Sequence, residues 1–270
     1  MKTIDSVLAS ALGLACLSSV FYSSHLVAKD KFVHSSCVAH RGYSAKYLEN
    51  SPEAFLAANA VHVPGIEFDV MHSKDGVAIV HHDKTPERTA RSKKGKHCAL
   101  STPFAEQTFS QIRDHCELQN GENIPSLSEV FQLLKPSSST LFVELKDKPS
   151  PETLELIKTN QQKKVVMSFT ADYLDQVAQS NAQVPLIFLT EGRATLPDRF
   201  DGLGTDDLSN IQLSTLRNKG KLSNIWTVND RARIRERANQ GIDYITTDEV
   251  ELCMEEVAKP KKIELSDSLK

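Results

Sequence analysis

Short apolar runs alternate with helical stretches along most of this chain, and the alternation limits the fold more than any other feature. The runs have the length and side-chain content of strands. Nine of them can be read from the sequence, at residues 37–39, 65–71, 77–81, 141–145, 164–169, 184–189, 200–204, 225–228 and 244–246. Helical stretches are predicted at residues 51–60, 126–134, 151–159, 171–179, 212–219, 230–239 and 249–257. Strands that alternate with helices indicate an α/β fold with a parallel sheet.

The run at residues 77–81 does not fit this alternation. It follows the run at 65–71 after a short segment that ends in Asp75-Gly76, which is a hairpin signal. A parallel pair would need a crossover of about a dozen residues or more. The run at 77–81 is therefore predicted to pair antiparallel with the run at 65–71 as a hairpin. The other eight strands are predicted to be parallel. They predict a TIM (β/α)8 barrel with an extra hairpin strand after strand 2. A doubly wound open sheet is the alternative, but no Gly-rich phosphate loop follows the first strand.

Length and composition agree with one barrel domain. The chain has 270 residues, of which 40% are hydrophobic and 25% charged, and such barrels reach ~250 residues as one domain. We expect the barrel domain at residues 31–258 and a charged tail at 259–270. The net charge of −3 gives no reason to expect nucleic acid as a partner.

Residues 1–30 are predicted to be a signal peptide or an N-terminal anchor. Lys2 precedes an apolar run at residues 7–27, as in secretory signals. Asp5 is unusual in such a signal and no cleavage site is clear, and the run is long enough to span a bilayer. A secreted or periplasmic protein is the first expectation, and a membrane-anchored protein is the alternative. Contact with a membrane is expected only through this segment, if it is not cleaved.

The cysteines do not suggest a zinc site, because no pair has Cys-x-x-Cys spacing. Cys98 and Cys116 flank one loop-like segment and could form a disulfide in an oxidising compartment. Free buried thiols are the alternative for this pair. Cys37 lies in the first predicted strand and is expected in the core.

Polar side chains interrupt two of the predicted parallel strands on one face only. Glu67 and Asp69 alternate with apolar residues in one strand, and Glu144 and Lys146 share a face in another. In a barrel the apolar face packs against the outer helices. The three carboxylates and the lysine should therefore converge inside the C-terminal mouth, where the active sites of this fold lie.

Two histidines are predicted at the same mouth. His40 and Arg41 end the first strand. A hairpin that turns near residues 74–75 places Glu67 opposite residue 82 and Asp69 opposite residue 80, which brings His82 level with the carboxylates. The histidines of the hairpin could instead be exposed turn residues. The other histidines have no such neighbours and are expected on the surface or in loops.

This predicted cluster suits chemistry on a phosphate. Three close carboxylates favour a hard divalent cation with oxygen ligands, Ca²⁺ or Mg²⁺, whereas zinc more often recruits histidines. Arg41 can hold a phosphate in a bidentate manner and Lys146 can act as a point charge. His40 and His82 suit the roles of general base and general acid.

Seven stretches of the sequence resemble the glycerophosphodiester phosphodiesterase family. They are HRGYSAKYLENSPEAF, GIEFDVMHSKDGVAIVHHD, IPSLSEVF, FVELK, VVMSF, IWTVND and GIDYITTD. They follow the order of the family from Val38 to Asp248. The resemblance implies a TIM barrel and metal-dependent hydrolysis of glycerophosphodiesters, which yields glycerol 3-phosphate and an alcohol. Ser51 departs from the usual Thr of the family at a helix start.

The resemblance also implies a role for each matched site residue. Trp226, the only tryptophan, would form an apolar wall for the glycerol, although a core tryptophan is the alternative. The implied residues are His40 and His82 for catalysis, Glu67, Asp69 and Glu144 for one divalent cation (Ca²⁺ or Mg²⁺), Arg41, Lys146 and Trp226 for the substrate, and Glu49 as support for Arg41 or His40.

Two other functions remain open at this stage. A lysophospholipase D or sphingomyelinase D-like enzyme would act on lipid substrates and would need an apolar groove. A catalytically silent, phosphate-binding scaffold is also conceivable, but it could lose any of the site residues freely, and all of them are present. The expected partner is a small-molecule phosphodiester.

Overall fold

Eight parallel strands close into a barrel in the computed structural model, which describes residues 35–259. The strands are β1 (Ser36–Ala39), β2 (Gly65–His72), β3 (Ala78–Val80), β4 (Ala90–Ser92), β5 (Cys116–Leu118), β6 (Thr140–Leu145), β7 (Lys164–Ser168), β8 (Leu186–Thr190), β9 (Gly202–Thr205), β10 (Leu222–Ile225) and β11 (Tyr244–Thr247). The helices are α1 (Pro52–Ala60), α2 (Phe109–His115), α3 (Leu127–Leu133), α4 (Pro151–Thr159), α5 (Ala171–Gln179), α6 (Asn210–Asn218), α7 (Arg231–Gln240) and α8 (Val250–Val257).

The order of strand pairing shows that the barrel is closed. The strands follow the order β1-β11-β10-β9-β8-β7-β6-β2, and β1 also pairs with β2. β3 pairs with β2 in the antiparallel direction and lies outside the ring. β4 and β5 form a separate antiparallel pair. The prediction of a TIM barrel with an extra hairpin strand is confirmed.

The predicted N-terminal segment at residues 1–30 lies outside the described residues, and so does the predicted tail except for Lys259. Among residues 35–259, no helix combines the length and the apolar character that crossing a membrane requires.

Most predicted elements agree with the structure, because their ends carry local signals. The predicted helices match α1 and α3–α8 to within two residues at each end. At α3, the side chain of Ser126 accepts from the amide of Glu129, and the Glu129 carboxylate accepts from the amide of Ser126. This reciprocal capping box satisfies amide groups that have no partner inside the helix.

The strand predicted at residues 225–228 is placed wrongly, because β10 runs from Leu222 to Ile225. Ser223 and Asn224 give this strand a polar sequence, yet both are buried. Ser223 Oγ donates to Asp243 Oδ2 at 2.6 Å, and Asn224 Nδ2 donates to Thr246 Oγ1 at 2.9 Å. Their polar atoms find partners beside the neighbouring strand, which a hydrophobic pattern cannot indicate.

Two apolar layers explain why the site carboxylates face inward. Ile66, Phe68 and Val70 of β2 pack with the outer helices. A smaller cluster fills the inside of the barrel, and its buried members are Val38, Phe142, Val165, Met167, Ile187 and Leu189. Because neighbouring side chains of a strand alternate between these layers, Glu67 and Asp69 belong to the inner face.

Two disulfides cross-link the described part of the chain. Cys98 is bonded to Cys116, which confirms the bridged alternative for this pair. Cys37 is buried, as expected, but it is bonded to Cys253 of α8 and is not a free core thiol. This second bond joins the first strand to the last helix across 216 positions. No local pattern in the sequence relates the two cysteines, so the sequence does not predict this bond.

The bond between Cys37 and Cys253 should stabilise the fold measurably. We expect the variant Cys37→Ala/Cys253→Ala to lose about 5 kcal/mol of unfolding free energy, because the bond restricts a long loop of the unfolded chain. Guanidinium unfolding without reductant measures the change. The variant Cys98→Ala/Cys116→Ala opens a loop of only 18 residues. It is the comparison and should lose less, about 3 kcal/mol. A Cys37→Ala/Cys253→Ala variant as stable as the wild type would contradict the prediction.

Candidate active site

A cavity of about 320 Å³ opens at the C-terminal ends of the barrel strands. Most of the predicted site residues line it, and the other two, Asp69 and Glu49, contact residues that do. The structure therefore brings the whole predicted set together. The lining residues are His40, Arg41, Glu67, His82, Glu144, Lys146, Met167, Phe169, Leu189, Glu191, Asn224, Trp226, Thr227 and Thr246.

Three carboxylates at the base of the cavity form a candidate metal site. Asp69 and Glu144 are register partners on the adjacent parallel strands β2 and β6, and Glu67 lies two residues before Asp69. Each offers an oxygen, and these oxygens lie within 4.8 Å of one another. Glu67 Oε1 is buried and has no hydrogen-bond partner among residues 35–259. Buried polar atoms normally have partners, so these oxygens fit a hard divalent cation.

The cost of burying Glu67 and Glu144 appears in their pKa values. Burial, followed by the charges of Asp69 and Glu144, raises the pKa of Glu67 well above its usual range, although Arg41 opposes the change. Burial and Asp69 likewise raise the pKa of Glu144, and Lys146 opposes this. A bound cation would favour the charged forms of Glu67 and Glu144.

Arg41 is held beside the carboxylates by a left-handed turn. Arg41 has φ +57° and Gly42 has φ +81°. This turn lets the amide of Arg41 donate to Glu67 Oε2 at 2.8 Å and its Nη1 donate to Glu49 Oε1 at 2.9 Å. Burial would raise the pKa of Glu49, but hydrogen bonds and charge from Arg88 and Arg41 lower it to about 2. The predicted contact of Glu49 with Arg41 is thus present.

His40 forms a hydrogen bond with Asp248, at the end of the last strand. Nδ1 of His40 lies 2.7 Å from Asp248 Oδ1. Burial would raise the pKa of Asp248, but hydrogen bonds from His40, Ser44 and Asn229 lower it to about 2. An ionised Asp248 can only accept here, so Nδ1 of His40 carries a proton. Nε2 is then able to accept one.

His82 is held in the same way. Its Nδ1 lies 2.7 Å from Asp83 Oδ1. Burial would raise the pKa of Asp83, but hydrogen bonds from Arg88 and His82 lower it to about 2. The cavity therefore has two imidazole rings, each oriented by its own carboxylate.

The path of the chain to His82 differs from the prediction. The amide of His81 donates to the carbonyl of Asp69 at 3.0 Å, and β3 ends at Val80. The predicted pairing of Asp69 with residue 80 is therefore wrong by one position. His81 is not an exposed turn residue: it is buried, and its Nε2 lies 2.7 Å from Thr89 Oγ1. His82 reaches the cavity because the chain leaves the strand before it.

Lys146 and two aromatic rings form a further part of the cavity wall. Lys146 Nζ donates to Glu144 Oε1 at 2.7 Å and lies 5.8 Å from the centre of the Phe169 ring. The rings of Phe169 and Trp226 meet edge to face with centres 5.4 Å apart. Trp226 packs on the inner apolar cluster and also lines the cavity.

His72 was expected on the surface or in a loop, and this is wrong. It is buried at the end of β2. Its Nδ1 contacts Asp147 Oδ1 and its Nε2 lies 2.7 Å from Thr153 Oγ1. These contacts tie β2 to the segment that follows Lys146.

Four residues that support the site have no predicted role from the sequence. Asn50 Nδ2 donates to Asp69 Oδ2 at 2.8 Å and so orients one of the candidate metal ligands. The other three are Asp83, Phe169 and Asp248. All four lie inside the motif stretches: Asn50 follows Glu49, Asp83 follows His82, and Phe169 and Asp248 each end a stretch. Two of them carried a signal in the sequence: Asp83 directly follows a histidine, and Asp248 lies at the end of a predicted strand.

Comparison with known proteins agrees with this geometry. The model of the Glycerophosphoryl diester phosphodiesterase family matches residues 40–252. A glycerophosphodiester phosphodiesterase of Caldanaerobacter subterraneus is 32% identical over 112 residues, which are 40% of this chain and 44% of that protein. The match thus spans less than half the length of that relative.

Two solved structures share the fold. A glycerophosphodiester phosphodiesterase from Thermotoga maritima is 29% identical with a TM-score of 0.67, and the match covers 82% of this chain and 98% of that one. A phosphodiesterase from Oleispira antarctica, solved in complex with the product sn-glycerol-3-phosphate, is 20% identical with a TM-score of 0.70, covering 83% and 97%. With the family match over most of the chain, these findings show that the chain belongs to the glycerophosphoryl diester phosphodiesterase family.

Proposed function

We propose that this protein is a metal-dependent phosphodiesterase that hydrolyses glycerophosphodiesters, such as glycerophosphocholine, to glycerol 3-phosphate and an alcohol. The observation that carries the proposal is the pairing of two carboxylate-held histidines with a buried three-carboxylate cluster in one cavity. The glycerol 3-phosphate bound to the Oleispira antarctica phosphodiesterase supports the substrate class.

The charged residues would bind and polarise the phosphate. Glu67, Asp69 and Glu144 would hold one divalent cation, Ca²⁺ or Mg²⁺. When bound, such a cation supplies positive charge for the phosphoryl oxygens and lowers the pKa of a hydroxyl group beside it. Arg41 and Lys146, which line the same cavity, would stabilise the remaining phosphoryl oxygens.

The two histidines would move the protons. We assign His40 as the base that takes the proton of the attacking hydroxyl, either the 2-hydroxyl of the glycerol or a water. As the new P–O bond forms, the bond from phosphorus to the leaving alcohol breaks, and His82 gives that alcohol its proton. Attack by water yields glycerol 3-phosphate directly. Attack by the 2-hydroxyl yields a cyclic phosphate, which a water deprotonated by His82 then opens to glycerol 3-phosphate as His40 returns its proton to the 2-oxygen. Asp248 and Asp83 would keep the rings oriented, with Nδ1 protonated in each.

Removing either histidine should nearly abolish turnover. For His40→Ala and His82→Ala we expect kcat to fall roughly 10²–10⁴-fold, since general acid and base catalysis each contribute this much. Release of glycerol 3-phosphate from glycerophosphocholine measures the loss. His62→Ala is the matched control, because His62 is exposed and lies before β2, away from the cavity. Near-wild-type turnover of either site variant would contradict the assignment.

Metal dependence can be tested on the same reaction. We expect EDTA to abolish turnover and either Ca²⁺ or Mg²⁺ to restore it. The variant Glu67→Gln should need far more of that cation, because it removes a buried charged ligand. Glu155→Gln, an exposed change on α4, is the control. Trp226 is the only tryptophan and lines the cavity, so its fluorescence can report binding of the cation independently of turnover. Full activity in EDTA would contradict the proposed metal dependence.

A lipid substrate is the second candidate. Phe169 is 41% exposed and lies at the cavity with Trp226, so the mouth has an apolar side that could contact an acyl chain. Faster hydrolysis of lysophosphatidylcholine than of glycerophosphocholine would favour a lysophospholipase D activity. Hydrolysis of sphingomyelin would favour a sphingomyelinase D-like activity. Binding of phosphate without hydrolysis of any of these substrates would indicate the silent scaffold.

We also propose that the protein is secreted or periplasmic, with a membrane anchor as the alternative. The two disulfides support an oxidising compartment. The predicted signal peptide lies outside the described residues. N-terminal sequencing of the protein recovered from cells and from the medium tests this proposal, and an intact leader on cytosolic protein would contradict it.

A further inference from the structure

Arg88 binds two carboxylates that belong to different parts of the site, although it is not among the residues that line the cavity. Its Nε donates to Asp83 Oδ2 at 2.6 Å. Its Nη1 and Nη2 donate to Glu49 Oε2 at 2.6 Å and to Glu49 Oε1 at 2.7 Å. One guanidinium thus bridges the segment after β3 and the segment before α1.

Each of these carboxylates holds one of the proposed functional side chains. Asp83 Oδ1 lies 2.7 Å from His82 Nδ1, and Glu49 Oε1 accepts from Arg41 Nη1 at 2.9 Å. The contacts form a continuous chain, which runs from His82 through Asp83, Arg88 and Glu49 to Arg41. Its two ends are the proposed acid and a proposed phosphate ligand.

The geometry of this bridge is more restrictive than that of an ordinary surface ion pair. A single exposed pair contributes about 0–1 kcal/mol and leaves its partners free to move. Here the planar guanidinium uses three donors at once, and bidentate pairs of this kind define direction as well as distance. Although the Arg88 side chain is 49% exposed, the Glu49 side chain is only 19% exposed.

The backbone around Arg88 is also anchored. The carbonyl of Arg88 accepts from Gln119 Nε2 at 2.8 Å, and the carbonyl of Thr89 accepts from the amide of Gln119 at 2.9 Å. Gln119 follows β5, which begins at Cys116 of the disulfide with Cys98. The small β4–β5 pair, which has no other part in the site, therefore supports the residue that carries the guanidinium.

We propose that Arg88 is a positioning residue, which fixes the orientation of His82 relative to Arg41 by bridging Asp83 and Glu49. This inference rests on the proposed function. Without Arg88, Asp83 would keep His82 as its side-chain partner and Glu49 would keep Arg41, but this side-chain bridge between the two pairs would be lost. Lysine at this position offers one ammonium group and lacks the fork that reaches both carboxylates at once.

Steady-state kinetics on glycerophosphocholine tests the proposal. For Arg88→Gln we expect kcat to fall roughly 10- to 100-fold, as when partners that orient active-site ligands are lost. KM should change less than kcat, and Arg88→Lys should recover only part of the loss. Arg91→Gln is the matched control: Arg91 lies on β4, is exposed, and pairs with Glu117 of β5 instead of a site carboxylate. Its kcat should remain at the wild-type value.

A double-mutant cycle with Asp83→Asn separates positioning from a general structural effect. If Arg88 acts through Asp83, the combined variant should lose clearly less activity than the product of the two single losses. The midpoint of thermal unfolding should be similar for Arg88→Gln and Arg91→Gln. Independent, multiplicative losses would overturn the proposal. If Arg88→Gln keeps the wild-type kcat, the role of Arg88 is overturned but the proposed function stands. If the wild-type protein does not hydrolyse glycerophosphocholine with either cation, the proposed function and the role of Arg88 are overturned together.

Discussion

The burial of two carboxylates beside a third, partly buried one at one end of the barrel is the constraint on which the rest of the site depends. Glu67 and Asp69 are almost inaccessible, at 2% and 1% exposure, and Glu144 lies beside them. Like charges in such an interior are unfavourable unless cations accompany them. Arg41 and Lys146 provide part of that compensation from the protein. Glu67 Oε1, which has no hydrogen-bond partner among residues 35–259, is the physical reason for proposing a metal at this place.

Near this charged centre, the same arrangement occurs twice: a carboxylate forms a hydrogen bond with Nδ1 of a histidine. Each proposed catalytic imidazole has its Nδ1 held by a carboxylate whose pKa is lowered to about 2, so that Nδ1 keeps its proton. Asp248 comes from the end of the last barrel strand and Asp83 from the loop after the outer hairpin strand. Closure of the barrel brings the first and last strands together and makes the pair of His40 and Asp248 possible.

Two of the three errors in the sequence-based prediction share a physical origin. β10 was placed three residues late because Ser223 and Asn224 are buried polar residues whose partners lie next to another strand. His72 was misjudged for the same reason, since its hydrogen-bond partners, Asp147 and Thr153, are distant in the chain. A hydrophobic pattern indicates which apolar groups are buried, but not which buried polar groups have partners. The hairpin register was wrong for a different reason: the amide of Ser73 donates to the carbonyl of Val77, so the turn is one residue longer than predicted.

The sequence by itself determined the order of the strand–helix units, the helix starts and the alternation that turns Glu67, Asp69 and Glu144 to the inner face. These features depend on side-chain period and on local capping, which act over a few residues. Only the tertiary structure decided the bond between Cys37 and Cys253, the contact of His40 with Asp248 and the bridge made by Arg88. Such contacts join residues from separate segments, and their distances are set by barrel closure and by the packing of the connecting loops rather than by any pattern along the chain.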